Sequence, residues 1–187
     1  MQHHQMRRAL AAAAGLVATF SAIPFIYAAN AAPQRQWSAA SRSLRIEDRT
    51  GDPRLRVAAI RAVDGWNAAG AGIHLTYTST PSFDGSCGYH GTTVSVCRDH
   101  LPSGELAVTT YRSTSDGKIT DAFVVVNADR SLDDSVEQSL LCHEFGHVLG
   151  LDHSPDATTS CLGSDPNSFP LTPDDRDVMI LRDRYRP

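Results

Sequence analysis

From residue 44 onward the apolar residues recur at two spacings, one of two and one of three to four. Leu44 to Arg49 alternates apolar and polar as a strand does. Asp52 and Pro53 then supply a capping residue followed by proline at the first helical position. The helix this opens carries Leu55, Ala58, Ala59, Ala62, Val63 and Trp66 on one face, and it ends in the glycine-rich stretch from Ala69 to Gly72. Ile73 to Thr78, Thr92 to Cys97 and Leu106 to Tyr111 read as strands. Ser115-Asp116-Gly117 marks a tight hairpin turn into a fifth, Ile119 to Asn127, whose apolar run Phe123 to Val126 predicts an interior strand. From about Asp133 to Gly150 the period returns to that of a helix. Leu141, Phe145 and Val148 make one apolar stripe, and Val136, Leu140, His143 and His147 make a second line beside it. A helix lined on two sides belongs in the centre of a fold.

Composition adds limits to this pattern. With 187 residues, 41% apolar and 20% charged, the chain fits one globular domain and is too apolar for disorder. Its net charge of -4 and its scattered Lys and Arg argue against nucleic acid as a partner, because phosphate binding needs a basic face. Residues 1–31 read as a signal peptide rather than as fold. Arg7 and Arg8 precede an uncharged stretch from Ala9 to Ala29, and Ala29-Asn30-Ala31 offers small residues where a signal peptidase reads. An uncleaved membrane anchor is the alternative, disfavoured because the stretch is mostly Ala and contains Thr19, Ser21 and Pro24. The expected organisation is a signal peptide over 1–31, a short segment over 32–43 and one domain over 44–187. The product would be secreted, with no membrane contact after cleavage, and monomeric.

Export changes how the cysteines are read. Cys87, Cys97, Cys142 and Cys161 are an even number in an oxidising compartment, where disulfides are favoured over free thiols, and three pairings are open. Proximity favours Cys87 with Cys97 and Cys142 with Cys161, each closing a short loop worth roughly 2 to 3 kcal/mol. Cysteine ligation of zinc would call for a CxxC spacing, and none is present.

The segment richest in chemistry is His143-Glu144-Phe145-Gly146-His147-Val148-Leu149-Gly150-Leu151-Asp152-His153. In a helix, residues four apart lie on one face about 6 Å from each other, so His143 and His147 can hold a single zinc. Gly150 can adopt the left-handed conformation that ends a helix and turns the chain, which would bring His153 round as a third ligand. Three neutral nitrogens leave a fourth position for water and leave the metal charge free to acidify it, a catalytic rather than a structural arrangement. Glu144 is rotated about 100° from the ligand line, which places it as the general base for that zinc-bound water. A bare HExxH is common in helices. Its extension through Gly150 to His153 is far more specific.

With these residues in view, the chain resembles the metzincin clan of zinc endopeptidases and, within it, the matrixin family, whose HExxHxxGxxH motif is matched at every fixed position and followed by Ser154. The likeness runs over nearly all of residues 44–187 and takes in Trp66-Asn67 and a last helix opened by Leu171-Thr172-Pro173-Asp174-Asp175 and continuing through Leu181 and Tyr185. It implies an α+β, zincin-like fold: a twisted mixed five-stranded sheet with an N-terminal helix, an active-site helix and a C-terminal helix. It also implies a secreted zinc metalloendopeptidase, with His143, His147 and His153 as ligands, Glu144 as base and one catalytic Zn2+. An extended peptide or protein substrate would lie along the edge strand Leu106 to Tyr111, with a specificity pocket shaped by residues 163–170.

Two departures from the family stand out. Leu162, in Thr159-Ser160-Cys161-Leu162-Gly163, occupies the place where metzincins carry a methionine beneath the zinc, and Met179 falls within the last helix. Leucine has nearly the same volume and the methionine is not a ligand, so zinc binding should persist. A Cys142 to Cys161 bond would tie the zinc helix to this turn. Residues 32–43 hold no cysteine to occupy the zinc as matrixin propeptides do. His90, Asp99 and His100 are candidate donors for a further ion, a second zinc, although their spacing is unmatched; the sequence does not speak for or against Ca2+. The competing function is a zinc-retaining, catalytically weak peptide-binding module using the same cleft. Glu144 favours the enzyme, since a binding module has no need of a base, and Leu162 is the only feature on the other side.

Overall fold

A computed structural model describes residues 35–80, 87–102, 104–156, 158–164 and 168–186, all within one unit. The expected signal peptide and the start of the 32–43 segment lie outside the described residues, as do residues 165–167 of the pocket loop. In chain order the elements are β1 (Gln36–Trp37), β2 (Ser43–Asp48), α1 (Pro53–Ala69), β3 (His74–Ser79), β4 (Thr93–Asp99), β5 (Ala107–Ser113), β6 (Lys118–Asn127), α2 (Asp134–Val148) and α3 (Asp175–Arg184).

The fold is a mixed sheet, mostly parallel, with three helices. β3, β2, β4 and β6 run parallel in that spatial order, and β5 closes the edge antiparallel to β6. The short β1 pairs in parallel with the first residues of β6. The five strands read from the sequence are all present, each within two residues of its expected ends, and β1 makes a sixth. A parallel neighbour cannot be reached by a tight turn, so α1 is the crossover from β2 to β3. β5 and β6 need only the Thr114 to Lys118 hairpin, where Gly117 takes a φ of 82°.

Local chemistry accounts for the helix ends. The Asp52 side chain accepts from Arg54 N at 2.9 Å with Pro53 behind it, and Gly70 turns left-handed at the other end of α1. The residues that α1 buries are the six named from its periodicity. They pack onto β3 and α2. α3 opens with a capping box between Asp174 and Asp177.

Long polar contacts then lock the layers. The Trp66 indole donates to Cys142 O at 3.0 Å, and Asn67 both donates to and accepts from the Leu75 backbone. The Trp37 indole donates to Val148 O, while its backbone N–H donates to the Tyr185 hydroxyl, which in turn donates to Leu149 O. Thus β1, α3 and the end of α2 meet around two buried aromatic rings. Phe145, Leu141, Val148 and Leu149 are fully buried, as the central position of α2 requires. No helix among the described residues is long and apolar enough to cross a membrane.

Candidate metal centre

α2 ends in a manner that explains the spacing of the histidines. Gly150 N–H donates to His147 O and Leu151 N–H to Gly146 O, the paired bonds of a Schellman turn with glycine in the left-handed position. Gly150 has a φ of 91°, and a Cβ there would stand 2.3 Å from Arg35 O, so only glycine fits. The chain reverses, and His153 comes round to face the helix. Arg184 holds the reversal in place, its Nη1 donating to Gly150 O at 2.5 Å and to Arg35 O at 3.2 Å.

His143, His147 and His153 offer nitrogen atoms that all lie within 4.8 Å of one another, close enough to share one metal ion. The tautomers follow from the hydrogen bonds. His143 Nδ1 lies 2.9 Å from Cys161 O and His147 Nδ1 lies 2.8 Å from Leu151 O. A carbonyl only accepts, so each Nδ1 carries the hydrogen and each Nε2 presents a lone pair. Those two Nε2 atoms are 3.0 Å apart. Two lone pairs at that distance repel unless a proton or a cation stands between them. Protonation is opposed, because burial and then the neighbouring His147 push His143 down to about 4, and burial lowers His147 as well. A cation is the better partner.

Beneath the histidines lies the turn Ser160 to Gly163. Leu162 is fully buried against Gly146, where an added Cβ would meet the leucine side chain at 2.6 Å. The turn is tied on three sides. The Ser160 hydroxyl accepts from Leu162 N and donates to the buried Asp177 of α3, and Leu162 O accepts from Ser154 N just past His153. Cys161 pairs with Cys142, their Cα atoms 5.9 Å apart, so the residue whose carbonyl orients His143 is bonded to the residue before it. Cys87 and Cys97 make the second pair, at a Cα separation of 5.6 Å. Both pairings are those favoured by proximity, and both suit an oxidising compartment.

Glu144 is 4% exposed, and burial pushes its carboxyl up to about 7 against the lowering effect of the Thr109 hydroxyl. Thr109, on β5, donates to Glu144 Oε2 at 2.6 Å and also lies 3.0 Å from Glu144 O. Two cavities meet at this carboxyl. One, of about 300 Å³, is lined by Leu106, Val136, Leu140, Cys161 and Phe169 among others. The second, of about 650 Å³, runs past Ala107, Thr109 and Tyr111 to Arg35 and Asp152. His143, Glu144 and His153 border both.

The sequence singles out the three histidines, Glu144, Gly150 and Leu162, and the fold gathers them all. It does not gather His90, Asp99 and His100. Among the described residues the histidine trio is the one set of three donors within metal reach. His100 instead takes the Asp129 carboxylate through its side chain and Asp99 through its backbone N–H. Thr109, Arg184 and Asp177 carry no motif, and sequence reasoning does not reach them. Strand register brings Thr109 to the site, and the packing of α3 brings Asp177 and Arg184. No known family model matches the chain, and no curated protein matches it.

Proposed function

We propose that this chain is an exported zinc endopeptidase of the metzincin, matrixin-like kind, cutting peptides that bind as an added strand along β5. The observation that carries the reading is the pairing of two tautomer-locked histidines, Nε2 to Nε2 at 3.0 Å, with a third from the reversed chain and a buried carboxyl on the same helix. Tetrahedral zinc about 2.0 to 2.1 Å from each nitrogen calls for roughly 3.4 Å between nitrogens. The observed separations bracket that value, running from 3.0 Å to no more than 4.8 Å. An all-nitrogen set suits zinc, and the second ring nitrogens of His143 and His147 are already held by backbone carbonyls. When bound, zinc supplies Lewis acidity, lowering the pKa of a coordinated water and polarising a carbonyl.

Glu144 handles the protons. A carboxyl held near 7 can take a proton from an attacking water and return it, although a cation on the histidines would draw that value down. The water oxygen bonds to the peptide carbonyl carbon, the C–N bond breaks, and the proton goes to the departing amine. Among the described residues β5 pairs with β6 alone, which leaves its outer edge to take a substrate strand. The apolar cavity bounded by Leu106, Val136, Leu140 and Phe169 would receive the side chain that follows the cut. Leu162 is fully buried against Gly146, so a packed leucine stands in the turn where the family carries its methionine.

The direct test compares two variants. Glu144→Gln should keep zinc and fold while losing a factor of about 10² to 10⁴ in turnover, the usual contribution of a positioned general base. His147→Ala should lose the metal itself. A Glu144→Gln protein with unchanged turnover, or a His147→Ala protein with full zinc, would overturn the assignment.

A further inference from the structure

We infer that Thr109 is a positioning residue for the base: its hydroxyl clamps one carboxylate oxygen of Glu144 so that the other is presented to the reacting water. This rests on reading Glu144 as the base. The terminal torsion of a glutamate is broad and nearly two-fold, so a carboxylate held only by its stem sweeps a range of orientations. Thr109 removes that freedom. Its Oγ1 donates to Oε2 at 2.6 Å, the short distance of a charge-assisted bond, and among the described residues Oε1 accepts no hydrogen bond.

The clamp comes from a rigid place. Thr109 stands opposite Val124 in the β5 to β6 ladder, in a run of pairs from Ala107 with Val126 to Arg112 with Asp121. The β5 residues Ala107, Val108, Thr109 and Tyr111 border the groove. The same hydroxyl lies 3.0 Å from Glu144 O, so the strand also sets the distance to the backbone of α2 at this residue. If substrate adds to the outer edge of β5, one residue then serves two purposes. Its backbone belongs to the strand that sets the register of the peptide, and its side chain sets the direction of the base. The β5 edge and the Glu144 carboxylate cannot drift apart without breaking this bond.

The prediction separates hydroxyl from shape. Thr109→Val keeps the branched outline and removes the donor, whereas Thr109→Ser keeps the donor and removes the methyl. Misplacing a reacting group by about 1 Å can cost up to 10²-fold in rate. Thr109→Val should therefore lower kcat by roughly 10- to 100-fold with KM nearly unchanged and zinc content full. Thr109→Ser should recover most of the rate. A second readout needs no turnover. Trialanyl hydroxamate places a proton where the base must accept it, so calorimetry should show weaker binding to the Val variant than to the Ser variant or wild type. Should Val fail to fold, Thr109→Ala makes the same comparison with Ser.

The inference is overturned if the Val protein matches wild type in both kcat and hydroxamate affinity while Glu144→Gln is inactive, an outcome that leaves the endopeptidase reading intact. Equal losses in Val and Ser would also overturn it, by assigning the effect to packing. A wild-type protein with no zinc-dependent cleavage would remove the base reading and this inference together.

Discussion

Gly150→Ala strikes the point where α2 becomes the loop carrying the third histidine. The new Cβ would lie 2.3 Å from Arg35 O and 2.9 Å from Arg35 C, against a closest ordinary approach of 3.0 Å, and the obstruction is backbone rather than a mobile side-chain tip. Holding a non-glycine residue at a φ of 91° adds strain. That strain is worth roughly 1 to 3 kcal/mol, and forcing the backbone apart roughly 1 to 3 more. The sum, about 2 to 6 kcal/mol, is a large part of the 5 to 15 kcal/mol typical of a domain.

Relief has two routes, and both are costly. Either β1 moves, disturbing the Trp37 contact to Val148 O, or the turn opens and shifts Leu151 O from His147 Nδ1. Loss of such an orienting partner typically lowers metal affinity 10- to 100-fold. The assay is urea unfolding of the metal-free protein together with zinc competition against a chelator. Gly91→Ala is the control, since Gly91 also has a positive φ, 63°, but has nothing within 4 Å of a new Cβ. It should cost only about 1 kcal/mol and leave zinc affinity alone. Wild-type stability and wild-type zinc affinity in Gly150→Ala would refute the reasoning.

Three further outcomes are expected. In the metal-free protein Glu144 is raised from 4.5 to about 7, so its stabilising effect is complete below pH 4.5 and is lost as pH rises through 7. His143 is lowered from 6.5 to about 4, so its effect is complete above pH 6.5 and is lost as pH falls through 4. Each is worth about 3 kcal/mol at most, with opposite slopes. The lowered His147 adds to the slope of His143, so Glu144→Gln should steepen the rise in stability of the metal-free protein from pH 4 to 6.5, measured by urea unfolding across pH; a flat profile in the variant would contradict the burial argument. Replacing Cys142 and Cys161 by serine should cost roughly 3 kcal/mol and weaken zinc binding, because Cys161 O orients His143. Chelator competition showing unchanged affinity would separate the disulfide from the site. Ala107→Pro at the start of β5 should impair cleavage of extended peptides while zinc content stays full: Leu106 O takes the Asn127 N–H, so ladder alternation turns the Ala107 N–H to the outer edge, and proline removes that donor; full catalytic efficiency in the folded variant would exclude β5 as the substrate platform.

Much of this architecture can be read from residue spacing because the relevant signals are local. The six buried residues of α1 repeat at three and four, Asp52-Pro53 and Gly70 punctuate its ends, and His143, His147, Gly150 and His153 sit within a single turn and reversal. What escapes the sequence is long-range. β1 has two residues, too few for any period to show, yet its Trp37 is 2% exposed and reaches Val148 and Tyr185. Thr109 is one of several threonines in a strand, and only the β5 register turns it toward Glu144, thirty-five positions away. Arg184 and Asp177 lie on a helix whose place against the site is set by tertiary packing rather than by any pattern of their own. His90, Asp99 and His100 show the opposite case. Three donors near one another along the chain are held apart by the strand and by the Asp129 contact.

The central claim is that the histidine trio and Glu144 form a zinc-dependent peptide-cleaving site, and one measurement tests it most directly. The purified protein is incubated with a library of unstructured peptides as isolated, after removal of metal by a chelator, and after return of one equivalent of zinc, with new termini counted by mass spectrometry. The account predicts cleavage at internal bonds that disappears on chelation and returns with zinc. Cleavage that persists in the metal-free protein, or a zinc-loaded protein that cuts no peptide, would contradict it.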